Sequence, residues 1–245
     1  MKKGFYFSVD LKKISILLFS ALLVSSLITA VHYSTLSVAT ANITEHKPVI
    51  IVDAGHGGID GGTQSADGLL EKDVNLAIAL KTGKILSLMG YNVVYTREDD
   101  IINYSDDCNT IRQKKIFDTH NRMSLIEKYP DGFFLSIHQN YFTQSKYSGT
   151  QVFYSKNNPE SRIVAEFIQR AVVSELQREN DRQIKPTGTE IYLLYHSTIP
   201  SVMVECGFLS NENEAELLSD ETYQREVSLA IAKGLAQYLE NKIEL

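Results

Sequence analysis

His56, Glu71, His138 and Glu205 lie far apart in the chain, yet each stands where an apolar run breaks or a helix opens. His56 falls inside Val49-Ile-Ile-Val-Asp-Ala-Gly-His-Gly-Gly-Ile-Asp-Gly-Gly62, an apolar run that dissolves into glycines and so reads as a buried strand delivering one imidazole. His138 closes Phe133-Phe-Leu-Ser-Ile-His138, and Glu205 closes Val202-Met-Val-Glu205. Three strands thus present one side chain each at the carboxyl edge, where ligands bind in open α/β sheets. Glu71 opens Glu71-Lys-Asp-Val-Asn-Leu-Ala-Ile-Ala-Leu-Lys81, whose Val74 and Ile78 recur at helical spacing, so it sits at a helix start just after the glycine loop. A catalytic zinc takes three ligands of the His/Glu type and leaves a fourth position to water, whose pKa it lowers to about 7. Two histidines and two glutamates supply those ligands and a base.

The strings AGHGGIDGG, EKDVNLAIALK, LSIHQN and PSVMVECGFLSN resemble the four motif blocks of the zinc-dependent N-acetylmuramoyl-L-alanine amidases that cleave bacterial peptidoglycan. The resemblance runs from Pro48 to Leu239, with all four blocks in order. It implies that His56, Glu71 and His138 hold Zn2+ and that Glu205 is the catalytic glutamate. It also implies a phosphorylase/hydrolase-like zinc amidase fold.

The elements that must position these residues alternate. The patterning predicts strand 49–54, helix 71–89, strand 92–95, helix 111–128, strand 133–137, strand 150–154, helix 160–179, strands 190–195 and 201–205, a short helix after Asn211 and a last helix 222–240. This is an α/β fold with a mostly parallel central sheet and helices on both faces. Residues 42–245 are expected to form one catalytic domain. Ahead of it, Ile14 to Val31 is apolar or small and follows four lysines, so residues 1–41 read as an export signal or a membrane anchor. Ala39-Thr40-Ala41 is a small-residue cleavage site standing well past the apolar run, and both readings stay open. Either places the catalytic domain outside the cytoplasmic membrane.

The chain is 43% hydrophobic and 22% charged with a formal net charge of −6, and its basic residues form no cluster beyond pairs such as Lys114-Lys115. That balance excludes nucleic acid as a partner. No repeat or wall-binding module is seen, so localisation is expected from the N-terminal segment, as a membrane tether, or from a protein partner. The polar stretch Asp99 to Asp118 is longer than the family's usual turn and reads as a surface insertion, a partner-binding element or a gate.

Other residues carry two readings each. Asp53 is either a metal ligand or acceptor orienting His56, or an acidic strand residue capped locally. Asn140 either contacts substrate or braces its loop. His196 is a surface histidine first and an oxyanion stabiliser second; His32, His46 and His120 read as exposed. Arg97 and Arg122 read as structural partners of carboxylates. Cys206 reads as an isolated buried thiol rather than a nucleophile or half of a disulfide with Cys108. The glycines from Gly55 to Gly62 lack the Lys-Ser/Thr of a phosphate-binding loop and fit close backbone approach around a metal.

The implied reaction cleaves the amide between N-acetylmuramic acid and L-alanine, with Glu205 taking a proton from water and returning it to the departing amine. The alternatives are a zinc carboxypeptidase acting on stem peptides and a non-catalytic wall-binding protein. A single catalytic domain behind an export segment resembles the germination-specific amidase that helps form the muramic-lactam of spore cortex.

Overall fold

The computed structural model describes residues 11–41, 47–102 and 104–243 in two compact units, Met1–His46 and Lys47–Leu245. In the first unit, α1 runs Leu11–Ala41. Its described large side chains from Leu18 to Ile28 are apolar and exposed, at 56% or more each. Leu17 and Val31 of the apolar run have side chains outside the description, as do residues 32–41, and among the described residues no helix is long and apolar enough to cross a membrane.

The second unit is a six-stranded sheet of order β2-β1-β3-β6-β4-β5. Its strands are β1 (Val49–Ala54), β2 (Asn92–Tyr95), β3 (Phe133–Asn140), β4 (Gln151–Tyr154), β5 (Lys185–Pro186) and β6 (Ser201–Phe208). β2, β1, β3 and β6 pair in parallel, while β4 runs antiparallel to β6. Successive side chains of the central strands point to opposite faces, and both sets are apolar because both faces are covered. Ile50, Val52, Phe133, Leu135, Ile137, Val202 and Val204 pack against α2 (Glu71–Leu88), α4 (Glu160–Glu175) and α7 (Glu221–Ile243). Ile51, Phe134 and Met203 point the other way, onto Ile126 of α3 (Ile111–Glu127) and Leu194 of α5 (Tyr192–His196). A short α6 (Glu212–Ser219) links β6 to α7. The expected α/β class, with helices on both faces, holds.

Three expectations change. The run 190–195 is the short helix α5 rather than a strand: only Leu194 is fully buried, and Tyr192 and Tyr195 stay exposed. A five-residue apolar run carries no decisive period, and the place beside β6 is already taken by β4. β5 was not expected; it is a two-residue edge strand containing Pro186, a position where a missing N–H costs little. Asp99 to Asp118 is two things, a loop up to Asn109 and the first turns of α3 entered through a Thr110/Gln113 capping box.

Candidate metal centre and its carboxylate

β1 ends at Ala54, and the chain turns sharply through the glycine loop. His56 is the one non-glycine with positive φ among the described residues, at 61°. A backbone held in that region costs of order 1–3 kcal/mol and persists only where its surroundings enforce it. Here two arginines do so. Arg122 donates from Nη2 to the His56 carbonyl at 2.6 Å and from Nη1 to the Ala54 carbonyl at 2.8 Å. Arg97 donates from Nε to Ala54 O at 3.0 Å, and from Nη2 to Gly55 O and Lys72 O at 3.1 and 2.7 Å. Arg122 pairs with carboxylates as expected, Asp53 at 2.5 Å and Asp118 at 2.8 Å. Arg97 does not; its hydrogen bonds go to backbone carbonyls, including Asp99 O at 3.1 Å.

The loop delivers His56 toward Glu71, the first residue of α2. Its Nδ1 lies 2.9 Å from Asp60 Oδ2 and its Nε2 3.2 Å from Glu71 Oε1. An ionised carboxylate only accepts, so in the protonated ring both nitrogens donate; when a metal displaces the proton facing Glu71, Asp60 retains the one on Nδ1 and Nε2 is left with its lone pair. His138, on β3, brings Nδ1 to 3.0 Å from the same Glu71 Oε1. The two imidazoles meet edge to face, with centroids 5.0 Å apart at 73°. Glu71 itself is fixed: Oε2 accepts from Thr63 N and Oγ1 at 2.9 and 3.2 Å, while Gln139 N and Asn75 Nδ2 reach Oε1 at 3.2 and 3.3 Å. The ligand atoms of His56, Glu71 and His138 all lie within 4.8 Å of one another.

Gly55 shows why this corner tolerates no side chain. A Cβ there would stand 2.2 Å from the His138 ring. Gly62, at φ 68°, would put one 2.5 Å from Glu71 Oε2.

Charge follows geometry. Burial opposes the His56 cation, but the bonds to Asp60 and Glu71 outweigh it and raise its pKa to about 9. Burial would raise Glu71, yet His138 and His56 hold it well below the usual carboxylate range. Three lone-pair donors converging in this way call for a cation, and the set suits a divalent metal.

Glu205 lies opposite His138 in the β3–β6 register. Its Oε2 is buried and has no hydrogen-bond partner among the described residues. Burial pushes its pKa up to about 7, with Glu71 adding to the rise and His138 opposing it. An unpartnered buried carboxylate with a pKa near neutrality is suited to taking and returning a proton.

The structure decides several of the double readings. Asp53 neither ligates nor orients His56; it accepts from Arg122 at 2.5 Å, Ser136 Oγ at 2.5 Å and Thr96 Oγ1 at 2.8 Å. Burial disfavours its charge, but Arg122 and Ser136 keep its pKa lowered. The orienting carboxylate is Asp60, whose signal, an acidic residue four positions after the histidine in the glycine loop, went unread. Asn140 braces, accepting from Tyr141 N at 2.8 Å just beyond a register shift. His196 is exposed, packed against Tyr192 and Tyr195 with centroids 4.3 and 5.0 Å away. His120 is also exposed, while His32 and His46 lie outside the residues whose side chains are described. Cys108 and Cys206 are both free, and burial drives the Cys206 thiol pKa far upward, which removes it as a nucleophile.

Residues 99–109 are not a detached insertion. Asp100 accepts from Gly58 N at 2.8 Å and from Lys72 at 2.5 Å. Ile102 and the Tyr104 hydroxyl occupy the space that a Cβ on Gly58 would enter. Asp60 is further held by Lys115 of α3 at 2.7 Å. The stretch forms the outer wall of the His56 loop.

Residues 50–237 match the N-acetylmuramoyl-L-alanine amidase family. The chain belongs to that family. The germination-specific N-acetylmuramoyl-L-alanine amidase of Bacillus subtilis is 36% identical over 194 residues, covering 79% of this chain and 81% of the relative. Among solved structures, the CwlD amidase from Clostridioides difficile, in complex with the GerS lipoprotein, matches at 45% identity with a TM-score of 0.77, covering 80% of this chain and 100% of that one. The amidase AmiC2 of Nostoc punctiforme matches at 27% identity and a TM-score of 0.67, covering 79% and 97%. The protein is therefore a peptidoglycan amidase, with a His-Glu-His cluster able to bind a metal. Family membership removes the carboxypeptidase and non-catalytic readings.

Proposed function

We propose that this amidase is a zinc hydrolase in which His56, Glu71 and His138 hold the metal and Glu205 moves the proton. The observation that carries the reading is the convergence of three ligand atoms within 4.8 Å beside a buried, unpartnered Glu205 oxygen. Bound zinc would supply Lewis acidity to the attacking water and to the lactyl amide carbonyl. Asp60 holds the His56 ring so that Nε2 faces the ligand cluster. Glu205 accepts the water's proton at its carboxylate and donates it to the L-alanine nitrogen, since an amine leaves readily only once protonated. The same carboxylate acts first as base and then as acid, and its raised pKa suits both halves.

The test is elemental analysis with turnover on a soluble muramoyl peptide. His138→Ala should lose stoichiometric zinc, because two ligands rarely retain it. Glu205→Gln should keep zinc and lose activity by a factor on the order of a hundred or more. Full zinc in the first variant, or retained turnover in the second, would reassign these roles.

The same reading extends to place and partner. Residues 1–41 are the export segment, supported by the exposed, face-free apolar surface of α1, and residues 42–245 are the catalytic domain. Similarity to the germination-specific enzyme supports a role in forming the muramic-lactam of spore cortex, and muropeptide analysis of spores lacking the protein tests it. Since the CwlD structure was solved with a lipoprotein, a membrane-held protein partner is proposed here as well. Cell fractionation should find the catalytic domain outside the cytoplasmic membrane.

A further inference from the structure

We propose that Arg182, braced by Gln151 and Phe208, binds a carboxylate of the substrate's peptide stem. The inference rests on the amidase reading above and names the part of the substrate that the cleft selects.

Strand register lines up the first three residues. His138 on β3 stands opposite Glu205 on β6, and Glu205 stands opposite Gln151 on β4. Residues directly opposite in paired strands share a face, so a metal-ligand candidate, the proton carrier and an amide lie in one row across the sheet. Arg182, in the loop before β5, touches the end of that row through Gln151. Gln151 is buried, yet its side chain is polar: Nε2 donates to Gln183 O at 2.7 Å, and Oε1 accepts from Arg182 Nη1 at 3.3 Å.

Three further contacts fix the guanidinium plane. Arg182 Nε donates to Ser148 O at 2.6 Å, and the group stacks 4.4 Å from the ring centroid of Phe208 and 5.8 Å from that of Tyr147. Phe208 closes β6, the strand that carries Glu205.

No ion pair holds the guanidinium, although its charge reaches the buried Glu214 carboxylate and opposes the rise in that group's pKa. Among the described residues no carboxylate comes within salt-bridge distance of Arg182, and its Nη2 has no hydrogen-bond partner. Arg97 and Arg122 form the contrast, because every guanidinium nitrogen of each is engaged with carbonyls or carboxylates. Those two are spent on the His56 loop. Arg182 is half-buried, immobilised and still offers donors in the fork that suits a carboxylate.

Reach and polarity agree. Two strand spacings separate the β3 and β4 backbones by about 10 Å, which an extended peptide crosses in about three residues. In the cleaved substrate the group leaving with the nitrogen is the stem, so a stem running from Glu205 across β6 toward β4 brings the carboxylate of its second or third residue to Arg182.

The experiment uses the full-length, zinc-loaded enzyme and three soluble muramoyl tetrapeptides. One carries all its carboxylates, one is amidated on the second residue's free carboxylate, and one on the third residue's. The wild type should show KM raised roughly tenfold or more for one amidated substrate, with kcat little changed, and that substrate identifies the residue read. Arg182→Gln should bring the unmodified substrate to the same high KM while zinc content and melting temperature stay at wild-type values. Gln151→Glu, which keeps the arginine but gives it an internal carboxylate, should raise KM for the unmodified substrate alone. Equal KM for all three substrates in the wild type overturns the proposal. So does a loss of kcat and kcat/KM across all three in both variants, which would make Arg182 a clamp for residues 148–151. Failure of the wild type to cleave any of the three would instead sink the amidase reading, and this inference with it.

Discussion

At the scale of single residues, the cleft is a set of charges held where they would not otherwise sit. Glu205 is the clearest case. Its pKa in the fold, about 7, lies above the ordinary 4.5, so the native state prefers the neutral acid. The stabilising contribution of that acid is complete below about pH 4.5 and is lost as pH rises through 7. Glutamine imitates the neutral acid at every pH. In protein stripped of metal, Glu205→Gln should therefore melt close to wild type at pH 4.5 and several degrees above it at pH 8. Equal melting temperatures at both values would mean that the carboxylate is better solvated than its buried, unpartnered Oε2 implies.

Gly55 gives a second residue-scale expectation, of steric origin. Any side chain at this position meets the His138 ring at 2.2 Å, where no neighbour can yield without moving a proposed ligand. Gly55→Ala should fold, because β1 before it is untouched, but should bind zinc at least tenfold more weakly by competition with a chelator. A variant with wild-type affinity would show that the ring can move aside without cost.

At the scale of elements, the polar stretch after β2 acquires a role that its composition conceals. Asp100, Ile102 and Tyr104 cover the glycine loop, Lys115 ties the first turns of α3 to Asp60, and Asp118 braces Arg122 one turn further along the same helix. Shortening residues 99–109 should consequently reduce zinc content and turnover even on a small soluble substrate. A shortened protein that retained both, and failed only on intact wall, would return the stretch to the role of a partner surface. Arg122 is the pivot of the same assembly. Removing one partner of a buried ion pair leaves the other uncompensated, at a cost of roughly 3–5 kcal/mol, so Arg122→Met should lower stability markedly in denaturant melts. It should also release the strained His56 backbone and weaken metal binding.

At the scale of the whole molecule, the cleft and the proposed membrane tether belong to separate units. The unit Lys47–Leu245 contains both hydrophobic clusters and every member of the cleft, whereas α1 exposes its apolar residues. The domain 42–245 alone should fold and hydrolyse soluble muramoyl peptides at the full-length rate. It should digest isolated wall more slowly than the membrane-held chain, because tethering raises local substrate concentration into the millimolar range for short linkers. Equal rates on wall in both forms would mean that tethering contributes nothing to wall digestion.

Much of this was legible before any coordinates. Apolar runs ending in His, His and Glu, a glycine loop, and a helix opened by Glu71 name the cleft's four central residues, because strand periodicity and helix starts are local properties written in adjacent side chains. Which side chain serves which neighbour is not local. That His56 is oriented by Asp60 and not Asp53 depends on a left-handed backbone at His56 and on Arg122 drawing Asp53 away. That 190–195 is helical depends on β4 having filled the place beside β6. That Gln151 joins the row of His138 and Glu205 depends on a register between antiparallel strands more than fifty residues apart. The sequence determines the donor set, since residue types and strand ends are encoded side by side. Only the tertiary structure decides the partners, since hydrogen bonds and strand pairings form between segments whose separation in sequence leaves no local trace.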